Sequence, residues 1–196
     1  MLIKPYLVLV AGGPGTGKTT LAYGLANRLK KLSYSVYVIR DWAREIIARE
    51  KPKGDRGILP WTNRVLFEYL VVKHHLEEYK RVLSSDYDIV IEDGGGFAAK
   101  AYCVVDGVEL PSNYSELLEY SDRVSLVLLT TYTREIYSTD DVRWENPVYA
   151  ERIHEAITRV HYELFRDRVV TIPFMPRIGD RVEYALGVIR ERLGLK

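Results

Sequence analysis

Cysteine is nearly missing from this chain. Cys103 stands alone, so neither an internal disulfide nor a thiolate metal cluster can form, and it reads as a small buried hydrophobe. Gln is absent altogether and Asn is scarce, while Tyr, Arg and Glu are plentiful, a balance that fits a thermophile. No apolar run approaches the ~20 residues that a membrane-spanning helix needs. The N-terminus enters a strand-like run directly, without a secretory leader, so the expectation is a cytoplasmic protein with no membrane partner. Charge of one sign is also lacking: 28 Lys and Arg against 27 Asp and Glu leave a net +1. The basic clusters Arg28-Leu29-Lys30-Lys31 and Lys51-Pro52-Lys53 read as solvated surface, which argues against nucleic acid as a partner. Repeats, low-complexity tracts and linkers are missing too, so residues 1–196 are expected to form one domain.

What is present is a regular alternation. Short apolar runs over Tyr6–Ala11, Ser35–Ile39, Asp88–Glu92, Val124–Leu129 and Val169–Ile172 predict strands, several of them apolar on both faces. Between them the spacing predicts helices over Lys18–Leu32, Trp42–Glu50, Asn63–Leu83, Pro147–Phe165 and Ile178–Leu193. Such βαβ repetition implies an α/β fold with a parallel sheet. Residues 50–62, 94–120 and 131–147 read as irregular lid or insertion candidates, and Asp106-Gly107 gives a hairpin-turn signal.

"GGPGTGKTT", between the first strand and first helix, matches the phosphate-loop pattern G-x-x-x-x-G-K-[ST]. Its glycines let successive N–H groups turn inward toward phosphate oxygens, and the helix behind adds its positive end. Gly12, Gly13, Pro14, Gly15, Thr16, Gly17, Lys18, Thr19 and Thr20 are therefore the candidate nucleotide-binding residues. Lys18 is placed at the β- and γ-phosphates, Thr19 in a Mg²⁺ shell and Thr20 at the α-phosphate. A neighbouring strand must then end in a carboxylate, and "DIVIEDGGG" supplies two candidates. Side chains alternate along a strand, so only one of Glu92 and Asp93 faces the metal; Asp93 is the choice, with Glu92 the runner-up or a group that polarises water.

The class of phosphate-loop protein follows from what surrounds the loop. A guanine-reading Asn-Lys-x-Asp motif is missing, and 196 residues leave little room for a motor's helical lid domain. A kinase for a small acceptor needs less: an acid beyond the second strand and an Arg brought onto the transferring phosphoryl group. "RDWARE" offers Asp41 and Arg44, and "TREIYSTDDVRWENP" offers Arg134, Asp141 and Arg143. Asp41 and Arg143 join Lys18 as the catalytic candidates; Arg44, Glu92, Arg134 and Asp141 are acceptor-side or lid candidates. Trp42, Trp61 and Trp144 lie in these segments, where an aromatic can stack on a base or simply pack. His74 and His75 diverge by about 100° on a helix and are not read as a metal pair.

These segments together resemble a known family. "DWARE" resembles the acid-x-x-Arg-Glu of the nicotinamide riboside kinase domain found in bifunctional NAD-biosynthesis proteins. "DDVRWENPVYAERIHEAI" and "VTIPFMPRIGDRVEYAL" are similar to segments of the related AAA-28 group of P-loop ATPases and kinases. The resemblance implies a three-layer nucleotide-kinase-like fold with strand order 2-3-1-4-5, ATP and Mg²⁺ as ligands, and phosphoryl transfer to a nucleoside-like acceptor. It places Asp41 in the acceptor pocket, Asp93 beside magnesium, and Asp141 and Arg143 in a lid. Two departures stand out: relatives carry Arg after the third-strand Asp where this chain has Gly94, and Asp-Gly-Val-Arg has become Asp140-Asp141-Val142-Arg143. They leave open a second reading, a regulatory or scaffolding ATPase or GTPase with slow hydrolysis and a protein partner. ATP versus GTP is likewise open.

Overall fold

The structure, a computed structural model, describes residues 4–133 and 146–196. Strands β1 (Tyr6–Ala11), β2 (Val36–Ile39), β3 (Ile89–Asp93), β4 (Val124–Thr130) and β5 (Val169–Ile172) form one parallel sheet in the order β2-β3-β1-β4-β5. Every residue of β3 and β4 is buried, which is why these strands are apolar without alternation: helices cover both faces.

On one face, α1 (Lys18–Lys31) and α7 (Ile178–Leu193) place Leu21, Leu25, Val182 and Ile189 against Val8, Val10 and Ile91. On the other, α3 (Arg64–Val82) and α6 (Pro147–Phe165) set Leu76, Tyr79, Ile153 and Ile157 against Leu7, Leu9 and Val90. Each such buried aliphatic side chain contributes roughly 1.5–3 kcal/mol. A smaller cluster, in which Ile46, Ile47 and Leu59 meet Phe67 and Val71, pins α2 (Trp42–Glu50) over α3.

The helices start where their caps dictate. Asp41 Oδ1 accepts the Arg44 N–H at 3.1 Å, Asn63 accepts that of Leu66 at 3.0 Å, and Asn146 accepts that of Tyr149 at 2.9 Å ahead of Pro147.

The expected irregular stretch 94–120 is largely helical. It contains α4 (Ala99–Asp106) and α5 (Tyr114–Leu118), and Asp106-Gly107 makes no hairpin. Gly107, at φ 65°, closes α4 instead, its N–H turning back to the Cys103 and Val104 carbonyls. The same left-handed residue serves a hairpin turn or a helix C-terminus, and the run before it lacks strand alternation. In 50–62 the chain passes through a short 3₁₀ helix, Lys51–Arg56. The third candidate segment lies mostly outside the described residues. Among the described residues, no helix is long and apolar enough to cross a membrane.

Candidate functional site

The carboxyl ends of β1, β2, β3 and β4 bring the candidate residues together, as expected where an open parallel sheet changes direction. The loop after β1 is tightly held. A Cβ on Gly12, whose φ is 143°, would lie 2.2 Å from Thr130 Oγ1 at the end of β4. Thr16 donates its hydroxyl to the Gly13 carbonyl at 2.9 Å, and Lys18 Nζ donates to the same oxygen at 2.9 Å. Thr16 therefore offers a ligand its backbone and not its side chain. Thr19 and Thr20 are exposed on the groove side of α1. Arg181, buried on α7, donates from Nη1 to the Thr16 carbonyl at 2.9 Å and braces the loop from behind.

Register separates the two third-strand acids. Asp93 pairs beside Val10 and shares its face, toward α1; Glu92 pairs beside Leu9 and shares the opposite face, toward α3. Asp93 accordingly lies beside the Thr19 hydroxyl, and its buried Oδ1 has no protein partner. Burial and the nearby Asp41 carboxylate push the Asp93 carboxyl up to about 6, against the pull of Thr19, Lys18 and Arg44. An orphaned, buried carboxylate oxygen beside a Thr hydroxyl and a Lys ammonium fits a divalent cation that is completed by phosphate and water oxygens. Among the described residues no cluster of three His, Cys, Asp or Glu side chains could hold a metal unaided.

Glu92 does not reach the loop. His75 Nδ1 lies 2.9 Å from its Oε1, the Gly96 N–H donates to it at 3.0 Å, and the Tyr79 hydroxyl donates to Oε2. Burial opposes its charge, yet these partners hold its carboxyl below the usual range. Glu92 thus fastens α3 to the Gly94-Gly95-Gly96 turn.

Asp41 does reach the site. A Cβ on Gly94 would meet Asp41 Cγ at 3.8 Å and Lys18 Cε at 3.9 Å, so these two side chains converge over that glycine. They also form the junction of two clefts. One runs along Gly15, Lys18, Thr19 and Thr20 to Arg44. The other extends over Gly94 to Arg64, Phe67, Glu68, His75 and Tyr102. Arg134, Asp141 and Arg143 lie outside the described residues. Trp42 stacks on His74 with centroids 4.2 Å apart, which is packing; Trp61 is exposed.

The far wall of the second cleft was not anticipated. Arg64 Nη1 donates to Glu68 at 3.0 Å and Nε to Asp106 at 2.6 Å, while its guanidinium lies over the Tyr102 ring at 5.0 Å. Burial pushes Glu68 up to about 7 against the pull of Arg64. An i,i+4 pair of opposite charges on a helix ordinarily signals an exposed face, and only the tertiary position of α3 turns this one inward.

Fold and loop together define a P-loop nucleotide-binding protein with kinase-type strand order. The family described as AAA domain (AAA_28) matches residues 7–176, and the chain belongs to it. It is 33% identical over 100 residues to a "Probable adenylyl-sulfate kinase" of Aeropyrum pernix, a match that spans 46% of this chain and 55% of that protein. A crystal structure of NadR protein in complex with NR superposes with a TM-score of 0.64 at 21% identity, over 97% of this chain and 51% of that one.

Proposed function

We propose that the protein transfers the γ-phosphoryl group of Mg²⁺-bound ATP to a hydroxyl of a small nucleoside-like acceptor. The observation that carries this reading is the junction at Lys18 and Asp41, where a phosphate-loop cleft meets a second cleft lined by Arg64, Phe67, Glu68, His75 and Tyr102. A hydrolase needs no such second cleft.

In this reading the loop holds the triphosphate through the backbone N–H groups of Gly15 to Thr20, since the Gly13 N–H is given to His154 and Pro14 has none. Lys18 leaves the Gly13 carbonyl for the β- and γ-oxygens. Thr19 and Asp93 hold the metal, which supplies charge neutralisation at the phosphates. Asp41 accepts the acceptor hydroxyl proton as its oxygen bonds to the γ-phosphorus and the bond to the β,γ-bridging oxygen breaks, releasing ADP. Arg44 borders the nucleotide cleft, and Arg134, Asp141 and Arg143 are assigned to the closing lid, with Arg143 on the transferring charge.

The charges lining the second cleft narrow the acceptor. Arg64, its guanidinium on the far wall, already faces two carboxylates, Glu68 and Asp106. A second phosphate or sulfate on the acceptor would meet no uncommitted cation there among the described residues. This favours a neutral or cationic nucleoside, in line with the NadR complex with NR, over an anionic acceptor such as the adenylyl sulfate of the Aeropyrum pernix relative.

The test is ADP release from Mg²⁺-ATP with uncharged nucleosides, nicotinamide riboside, nucleoside monophosphates and adenylyl sulfate. One neutral or cationic nucleoside is expected to raise turnover by at least about a hundredfold, in the usual range for a positioned base. If no acceptor does so, and slow hydrolysis persists unchanged in Asp41→Asn, the protein is a regulatory ATPase and a protein partner is sought.

A further inference from the structure

The loop's second glycine is held from a distant element. Gly13 donates its N–H to His154 Nδ1 on α6 at 3.1 Å, across 141 positions of sequence. The two backbones are in close contact: a Cβ on Gly13 would lie 2.6 Å from His154 Cβ. The other end of the same residue, the Gly13 carbonyl, accepts from Lys18 Nζ and Thr16 Oγ1, both at 2.9 Å. His154 is itself fixed, its ring stacked on Tyr132 with centroids 5.8 Å apart, and the Tyr132 hydroxyl donates to the Pro147 carbonyl at the start of α6 at 3.1 Å.

We infer that His154 is a positioning residue for the phosphate loop: as a neutral imidazole protonated at Nε2, it fixes Gly13 so that the carbonyl holds Lys18 ready for phosphate. The inference rests on the nucleotide-binding part of the proposed function and not on the acceptor. An imidazole can accept the Gly13 N–H only while Nδ1 is bare. Protonation would set N–H against N–H and add a positive charge close to Lys18. The surroundings keep the ring neutral, since burial and then the Lys18 ammonium depress its proton affinity below the ordinary histidine value. Among the described residues, the titratable groups facing the ring are Lys18 from α1 and Tyr132 from the segment after β4.

The test is calorimetric binding of the non-hydrolysable analogue AMP-PNP with Mg²⁺, from pH 5 to 8, in the wild type, His154→Ala and His154→Asn. Asn places an oxygen near the Nδ1 position and cannot titrate. At pH 8, His154→Ala is expected to bind about three- to tenfold more weakly, the worth of one hydrogen bond, with His154→Asn restoring most of the loss. As pH falls, wild-type affinity should drop relative to His154→Asn. Asp93 and the ligand phosphates titrate in all three proteins and cancel in that ratio. Nitrogen-15 NMR of the ligand-free protein should show the Nε2-protonated tautomer. A ratio independent of pH, no rescue by Asn, or an Nδ1-protonated ring would each overturn the inference. If the wild type bound no nucleotide, the nucleotide-binding reading would fail, while the tautomer measurement would still decide the role of His154.

Discussion

In the proposed reading, Asp93 carries opposed demands on stability and function. Its carboxyl is pushed up to about 6 from an ordinary 3.8, chiefly by burial, so the folded protein binds a proton there more tightly than the unfolded chain. Such a group penalises folding as pH rises from about 4 through 6, and the penalty is complete above that. Asp93→Asn should therefore stabilise the ligand-free protein at pH 8 by about 1–3 kcal/mol, with the gain fading as pH falls from about 6 to 4 and absent below that. The same variant should lose most of the thermal stabilisation that Mg²⁺-ATP confers, and melting curves with and without ligand read both effects. Arg64 behaves differently. Its removal strands the buried Glu68, so Arg64→Ala should cost about 3 kcal/mol at pH 8. Because Glu68 is already pushed up to about 7, it escapes by protonation in acid, and the cost should shrink at pH 5. A cost independent of pH would mean that Glu68 is not the group left behind.

At the scale of elements, Asp41 serves two purposes that substitution can separate. It caps α2 through the Arg44 N–H and projects into the junction of the clefts. Asn caps a helix as well as Asp does, whereas Ala loses about 1 kcal/mol of capping. Asp41→Asn should thus melt near the wild type and lose acceptor-dependent turnover; Asp41→Ala should lose both. Equal turnover in Asp41→Asn and the wild type would remove Asp41 from the chemistry. Which elements the sequence reveals follows the same local logic. Strands buried on both faces and helices with side-chain caps are written in short runs, and β1, α2 and α6 fall where periodicity places them. α4 and α5 were hidden because they are short and because Asp106-Gly107 suits a hairpin or a helix end equally. That Glu92 and Asp93 point to opposite faces of the sheet was legible through strand alternation. The partners of Glu92 were not, since His75 reaches it only once α3 lies on the sheet.

At the scale of the whole molecule, the strand order sets the chemistry. Placing β1 between β3 and β4 brings the phosphate loop beside Asp93 and Thr130, and β2 outside β3 carries Asp41 to the rim. The loop motif announced this arrangement because its function is local, whereas the second cleft is assembled from α2, α3 and α4 and has no sequence signature. Arg64 and His154 belong to that second kind, each joined to its partner only by the packing of distant elements. The central claim concerns where the phosphoryl group goes, and the most direct measurement is to follow it. Wild-type protein is given ATP labelled at the γ-phosphorus, Mg²⁺ and the nucleoside panel, and the label is located. The account predicts that it appears on a hydroxyl of one nucleoside in step with ADP and that Asp41→Asn abolishes the transfer. Label found only in free phosphate, at a rate unaffected by any nucleoside or by Asp41→Asn, would contradict it.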